Sequence, residues 1–184
     1  MTERGSPLGL DEARALYVQL GATDPAVLDA DCERVAGLLA ATARGDFSGR
    51  LPPRLEGRIL TAEQEEVLVA RLVARLRSFT DQREAAPSRL VWALGKARDP
   101  DALEAVLDHA LTCGDAIRTY EFVNLVVAVE DLMLALPDLA GQTILDHDLR
   151  PLLEQRAAGH DEDERHAASR ALDQIARQID PSIR

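Results

Sequence analysis

Apolar residues recur at helical spacing along almost the whole of this chain, and this periodicity is the strongest constraint on its fold. The clearest case follows Thr61, where Leu68, Leu72 and Leu76 repeat every four residues and define one apolar helix face. No segment shows a convincing strand pattern, and 184 residues are enough for a hydrophobic core. The sequence therefore predicts a single all-α domain over residues 1–184 with about eight helices.

Helix-start signals stand in front of several apolar segments. A side-chain oxygen there can accept an orphan backbone N–H, and proline fits the first helical position because its missing N–H would have no partner. The signals are Asp24-Pro25, the capping box Thr61-x-x-Gln64, Asp99-Pro100 and the acids at 161–164. Gly and Pro predict a surface loop at 45–60, and residues 142–147 and 149–158 predict short helices. Short connections between helices are typical of a bundle or of a solenoid of stacked helix pairs.

The charge balance excludes some classes of partner. The chain has 21 Lys and Arg against 32 Asp and Glu, a net charge of −11, and 3% aromatic residues. Nucleic-acid binders usually present a basic stripe or stacking aromatic side chains, so DNA and RNA are disfavoured. The most apolar run, residues 122–136, is interrupted by an amide and two carboxylates, which argues against a membrane span. Cys32 and Cys113 are too few for a disulfide scaffold, and no apolar leader is present, so a cytoplasmic location is expected.

Residues 90–103, LVWALGKARDPDAL, resemble the HEAT repeat. In that family a first helix ends in an Ala-Leu-Gly turn, an Asp-Pro pair follows, and a second helix carries apolar residues at helical spacing. The small residues would let these two helices cross closely, Gly95 would permit a left-handed cap, and Pro100 would begin the second helix. Residues 163–172 resemble the opening helix of another repeat. The resemblance implies a solenoid of helix pairs over 86–184, after N-terminal helices in 1–85 without a clear repeat; an irregular helical bundle is the alternative.

The polar side of the predicted second helix is acidic. Asp101, Glu104 and Asp108 are three and four residues apart and therefore share one helix face. In the HEAT family the second helices line the concave surface, so this face resembles one that meets a partner. Such a surface predicts a basic protein partner and salt-sensitive association, whereas the alternative is a face that is only solvated.

Polar residues also interrupt the long apolar helix predicted up to residue 136. Asn124 and Asp131 are seven residues apart and share a face with Tyr120. One interpretation is a polar line exposed on the binding surface. The other is a buried network in which an arginine pairs with Asp131, because an unpaired buried carboxylate is costly.

The histidines allow a metal-dependent alternative. His147, His160 and His166 form the one concentration of potential metal ligands, and some HEAT-like hydroxylases hold a di-iron centre with His-Glu pairs. Nothing in the spacing here aims four ligands at one point, so no metal and no cofactor are predicted. His109, flanked by apolar periodic positions, is predicted to lie on a helix surface.

The sequence contains no nucleophile elbow, no phosphate-binding loop and no dinucleotide-binding motif, which favours a non-enzymatic role. It predicts a protein–protein interaction module that binds its partner through an acidic helical surface. One alternative is an immunity protein or antitoxin that neutralises a basic toxin, and another is a metal-dependent HEAT-like enzyme. Self-association into a homo-oligomer is also open.

Overall fold

A computed structural model describes residues 5–44 and 55–179 of the chain. These residues fold almost entirely into helices joined by short connections, which confirms the predicted all-α class. The elements are β1 (Ser6–Pro7), α1 (Leu10–Gln19), α2 (Pro25–Arg44), β2 (Arg58–Ile59), α3 (Ala62–Gln82), α4 (Ser88–Gly95), α5 (Pro100–Cys113), α6 (Thr119–Ala135), α7 (Pro137–Asp146), α8 (Arg150–Ala157) and α9 (Glu162–Ile179). Of the loop predicted at 45–60, residues 45–54 lie outside the described residues.

Two short strands correct the prediction that the chain has none. β1 and β2 pair in parallel, with Ser6 opposite Arg58, and the Leu8 N–H donates to the Ile59 carbonyl at 2.8 Å. Gly57 precedes β2 with a φ of 67°, a left-handed conformation that favours glycine. Strands of two residues are too short to produce a visible alternation of polar and apolar residues, so the sequence pattern could not reveal them.

The helices pack in two rows. Helices α2, α4, α6 and α9 contact one another in that order, and α3, α5 and α7 form a second series in contact with the first. Helix α8 packs mainly on α9, and α1 contacts both α2 and α3. The helices of the N-terminal half, where no repeat is visible in the sequence, therefore belong to the same two rows as the helices of residues 86–179.

The predicted caps form as expected. The Thr61 hydroxyl accepts from the Gln64 backbone N–H at 3.2 Å, and the Gln64 side-chain oxygen accepts from the Thr61 N–H at 3.0 Å. The amide nitrogen of buried Gln64 also donates to the Leu8 carbonyl at 3.0 Å, which ties the N-terminal segment to α3. At the start of α2, the Asp24 carboxylate accepts from the Ala26 N–H at 2.9 Å.

Helix α7 is longer than the predicted segment at 142–147. It begins at Pro137, which occupies the first turn, and ends at Asp146. The proline that ends α6 thus also begins α7, because a residue without an N–H is tolerated at the first helical position.

Gly95 has a different role from the one the resemblance implied. Its φ is not positive, so it forms no left-handed cap, and Lys96 at the end of α4 has a φ of −92°. A Cβ atom on Gly95 would lie 2.8 Å from Cα of Ala128 in α6. The glycine is therefore needed because the backbones of α4 and α6 cross closely.

One connected cluster of buried apolar side chains runs through the described residues, from Leu8 to Ile175. All nine helices of the described residues contribute to it. No helix in residues 5–44 or 55–179 has both the length and the apolar character that crossing a membrane requires.

Candidate functional site

Helix α5 presents a row of acids because of how it begins and which side it buries. The Asp99 side chain caps it by accepting from the Asp101 N–H at 2.8 Å and the Ala102 N–H at 3.3 Å. The buried side consists of apolar residues at helical spacing, among them Leu103, Val106, Leu107 and Ala110. The opposite side carries Asp101, Glu104 and Asp108, all exposed, and we call these three residues the acidic ridge.

An apolar side chain extends the acidic ridge. Leu111 lies three residues after Asp108 and is 45% exposed. Its spacing from Leu107 would place it on the apolar side of α5, but the structure leaves it at the surface. Exposed acids beside an exposed leucine make a surface of mixed chemistry.

The acidic ridge has few intramolecular partners. Within the described part of the chain, neither Asp101 nor Glu104 forms an ion pair with a basic side chain. Other acids are paired: the Arg170 guanidinium binds Glu130 through two hydrogen bonds of 2.7 and 2.9 Å. Glu104 and Asp108, four residues apart on α5, repel each other, and an arrangement of this kind costs a few tenths of a kcal/mol, roughly.

Asp108 contacts a histidine from the neighbouring helix of its row. His147 directly follows α7, and its Nε2 lies 3.1 Å from an oxygen of Asp108. The other ring nitrogen, Nδ1, is 3.0 Å from the Thr143 carbonyl. The His147 side chain is 20% exposed and that of Asp108 is 51% exposed, so the contact lies at the edge of solvent.

Glu104 completes a group of three potential metal ligands. One ligand atom each from Glu104, Asp108 and His147 lie within 4.8 Å of one another, and no other such group of three occurs among the described residues. The sequence instead suggested His147, His160 and His166 as a group of potential ligands. In the structure His166 is exposed and lies 3.7 Å from Glu162, and His160 is exposed, so neither belongs to the group.

The acids around His160 act as a helix cap. The Asp161 carboxylate accepts from the Glu164 N–H at 3.1 Å and from the Thr119 hydroxyl at 3.1 Å. These hydrogen bonds lower the pKa of Asp161, the bond to the Glu164 backbone first. The acid run at 161–164 thus opens α9, as the sequence predicted.

The polar residues of α6 make two separate sets of contacts. Tyr120 is 62% exposed, and the Asn124 amide donates to the Tyr120 backbone carbonyl at 2.8 Å. Asp131 forms a partly buried ion pair with Lys96 at the end of α4. The network hypothesis named an arginine as the partner of Asp131, whereas the observed partner is lysine. A role of Tyr120, Asn124 and Asp131 in partner binding stays a prediction.

His109 is buried, and the prediction that it lies on a helix surface is wrong. Its Nε2 accepts from the Ala86 N–H at 3.2 Å, so Nδ1 carries the proton and donates to the Thr80 hydroxyl at 3.0 Å. Burial lowers the pKa of His109 from 6.5 to about 4. This neutral imidazole holds α5 against α3 and the connection before α4.

Both cysteines are buried and free. Burial raises the pKa of Cys32 to about 12, with smaller contributions from Asp29 and Asp31. A thiol in this environment stays protonated and is a poor nucleophile. Both cysteines are part of the hydrophobic core.

A groove of about 580 Å³ between α1 and α3 has no counterpart in the sequence analysis. It is lined largely by apolar side chains, of which Leu10, Tyr17 and Val67 are exposed. The signal in the sequence was weak, since α1 has a single buried residue, Leu16, and its other apolar positions resemble an ordinary amphipathic helix.

No protein-family model matches this chain, and no curated protein or solved structure matches it.

Proposed function

We propose that this chain is a protein-binding module whose acidic ridge on α5 contacts a basic partner. The observation that carries the proposal is the exposure of Asp101 and Glu104 without a basic partner among the described residues. Acids that repel one another in the free protein gain most from a basic partner, because the partner relieves that repulsion.

Two further observations support the proposal. The net charge of −11 gives the molecule a field that attracts basic proteins over distances of about one Debye length. The resemblance of residues 90–103 to a HEAT repeat is compatible with the two rows of helices, and in that family the second helices line the partner-facing surface. We therefore propose a HEAT-like stack in which α5 is such a second helix.

The acidic ridge is tested by charge reversal. The double variant Asp101→Lys with Asp108→Lys changes the ridge, and Glu66→Lys with Asp173→Lys makes the same charge change at two exposed positions on α3 and α9. Each tagged protein is used for affinity capture from cells that naturally contain the chain, at low and high salt, and captured proteins are quantified by mass spectrometry. Circular dichroism checks that both variants are folded.

We expect a basic protein that the native chain and the Glu66/Asp173 variant capture at low salt and that the Asp101/Asp108 variant loses. High salt should weaken its capture by the native chain. Capture of the same proteins in equal amounts by all three chains would contradict the proposal. If that partner is a nuclease toxin, the immunity-protein alternative becomes the specific version of the function.

A further inference from the structure

We propose that Glu104, Asp108 and His147 form a binding site for a divalent transition-metal ion, with Zn²⁺ as the ion that fits best. The donor set is one imidazole nitrogen and two carboxylate oxygens, each within 4.8 Å of the others. Imidazole suits zinc and its neighbours in the first transition row, whereas magnesium and calcium prefer oxygen ligands alone.

The hydrogen bonding of His147 points to a cation between its ring and Asp108. The Thr143 carbonyl can only accept, so Nδ1, 3.0 Å away, must carry a proton. In the neutral ring Nε2 then has a lone pair, and this lone pair faces a carboxylate oxygen 3.1 Å away. Two acceptors at that distance repel unless a proton or a metal ion lies between them. Glu104 places a third potential ligand atom within 4.8 Å of both, which a metal ion can use and a single shared proton cannot.

The second hydrogen bond of His147 is also the one that metal-binding histidines use. Such histidines almost always donate the other ring N–H to a carboxylate, a backbone carbonyl or water, which fixes the tautomer and the ring orientation. The Thr143 carbonyl does this here, and it lies on α7, one helical turn before His147. The imidazole is thereby held in the form that can bind a metal through Nε2.

The backbone geometry suits a shared ion. Glu104 and Asp108 are separated by one helical turn of α5, and α5 packs against α7, from whose end His147 projects. Two ligands of a tetrahedral zinc ion lie about 3.4 Å apart, close to the separation of Nε2 and the Asp108 oxygen. Glu104 is exposed, so its side chain can turn toward the ion without disturbing the core. Three protein ligands leave a coordination position for water.

This inference does not depend on partner binding, because the three side chains meet within one chain. Asp101 belongs to the acidic ridge but lies outside the triad, and it therefore separates general attraction of cations from coordination. A bound ion would neutralise part of the ridge and leave Asp101 charged.

The test is a zinc titration of the purified, chelator-treated full chain by isothermal titration calorimetry. The variants are His147→Gln and Glu104→Gln, and the matched controls are His160→Gln, an exposed histidine, and Asp101→Asn, a ridge acid outside the triad. We expect one zinc ion per chain in the native protein. Loss of a residue that only orients a metal ligand lowers metal affinity by about 10- to 100-fold, so the zinc affinity of each triad variant should fall by at least about tenfold. The controls should bind like the native chain, and Mg²⁺ should not compete.

Three results would overturn the site: no zinc binding by the native chain, unchanged binding after both His147→Gln and Glu104→Gln, or an equal loss after Asp101→Asn. Glu104→Gln keeps the test valid if His147→Gln is misfolded, because Glu104 is exposed and makes no ion pair in the described residues. Repeating the capture experiment with a chelator present separates the two proposals, since the partner should still bind.

Discussion

His109 shows how a single residue can escape sequence analysis. Its position within α5 gives no sign of burial, because its partners come from elsewhere: the Thr80 hydroxyl from α3 and the Ala86 N–H from the connection before α4. The Thr80 hydroxyl in turn donates to the Leu76 carbonyl at 3.1 Å. Both ring nitrogens are satisfied only when the three segments are assembled, and a buried polar group needs such partners.

The same residue gives a prediction for pH. The pKa of His109 falls from 6.5 to about 4 on folding, so between these values the unfolded chain binds a proton that the native chain does not. The contribution of neutral His109 to the free energy of unfolding is therefore fully present above pH 6.5. It is lost as the pH falls, by up to about 3 kcal/mol at pH 4. Urea unfolding measured at a series of pH values should show this loss in the native chain and in the His160→Gln control, but not in His109→Gln.

Nuclear magnetic resonance of the His109 ring gives an independent reading. Its ring protons should titrate with a midpoint near 4 in the native protein. A midpoint near 6.5, together with equal pH dependence of unfolding in the native chain and His109→Gln, would show that this histidine is not a buried neutral base.

At the scale of the element, the sequence indicated where helices begin but not which helices cross. Asp24, Thr61 and Asp99 begin their helices as predicted, because a cap depends on residues within one turn. The sequence predicted a left-handed cap at Gly95, whereas a glycine is needed there because Ala128 on α6 leaves no space for a Cβ atom. Likewise, the sequence placed Asp108 and His147 in separate hypotheses, since nothing local indicates that α5 and α7 are neighbours.

The crossing of α4 and α6 is tested by Gly95→Ala. The added methyl group would lie 2.8 Å from the Ala128 Cα, and overpacking of this kind costs about 1–3 kcal/mol, more than the helix-propensity gain of at most about 1 kcal/mol. We expect a net loss of stability in chemical denaturation. The control is Gly9→Ala, whose methyl would meet only the flexible Glu12 side chain, at 3.2 Å. A Gly95→Ala chain as stable as the native one would contradict the close crossing.

Arg156 on α8 joins three elements. Its guanidinium donates to Glu164 at 2.6 Å and to the carbonyls of Gly114 and Ile117 at 2.6 and 2.8 Å, and it lies 5.0 Å from the Phe122 ring centre. Glu164 is buried, and loss of one partner of a buried pair leaves an uncompensated charge. The turn between α5 and α6 is thereby fixed to α8 and α9.

Arg156→Met should therefore lower the free energy of unfolding by up to about 3–5 kcal/mol, the cost of breaking a fully buried pair, since the Arg156–Glu164 pair is partly buried. Adding Glu164→Gln should recover part of the loss, because the stranded carboxylate is removed. Arg150→Met removes an exposed pair with Asp148 and should have little effect. Equal effects of Arg156→Met and Arg150→Met would mean that the buried pair does not hold these helices together.

At the scale of the whole molecule, the two rows of helices explain why the acidic ridge is exposed. Helix α5 lies between α3 and α7 in its row and packs its apolar side on α4 and α6. Its acids therefore have only His147 as a close basic neighbour in the described part of the chain. The periodicity predicted the class and the acidic face, whereas the order of the rows and the partner of Asp108 depend on long-range packing. That residues 1–184 form a single HEAT-like domain stays a prediction.

The central claim, that the acidic ridge meets a partner, is tested most directly by site-specific photo-cross-linking in cells that naturally contain the chain. A photoreactive phenylalanine derivative replaces Asp101 in one chain and, as controls, the exposed residues Glu66 and Asp173 in two others. After irradiation, mass spectrometry identifies the adducts. We predict an adduct with a basic protein from position 101 that is absent from positions 66 and 173. No adduct at 101, or the same adducts from all three positions, would contradict the account.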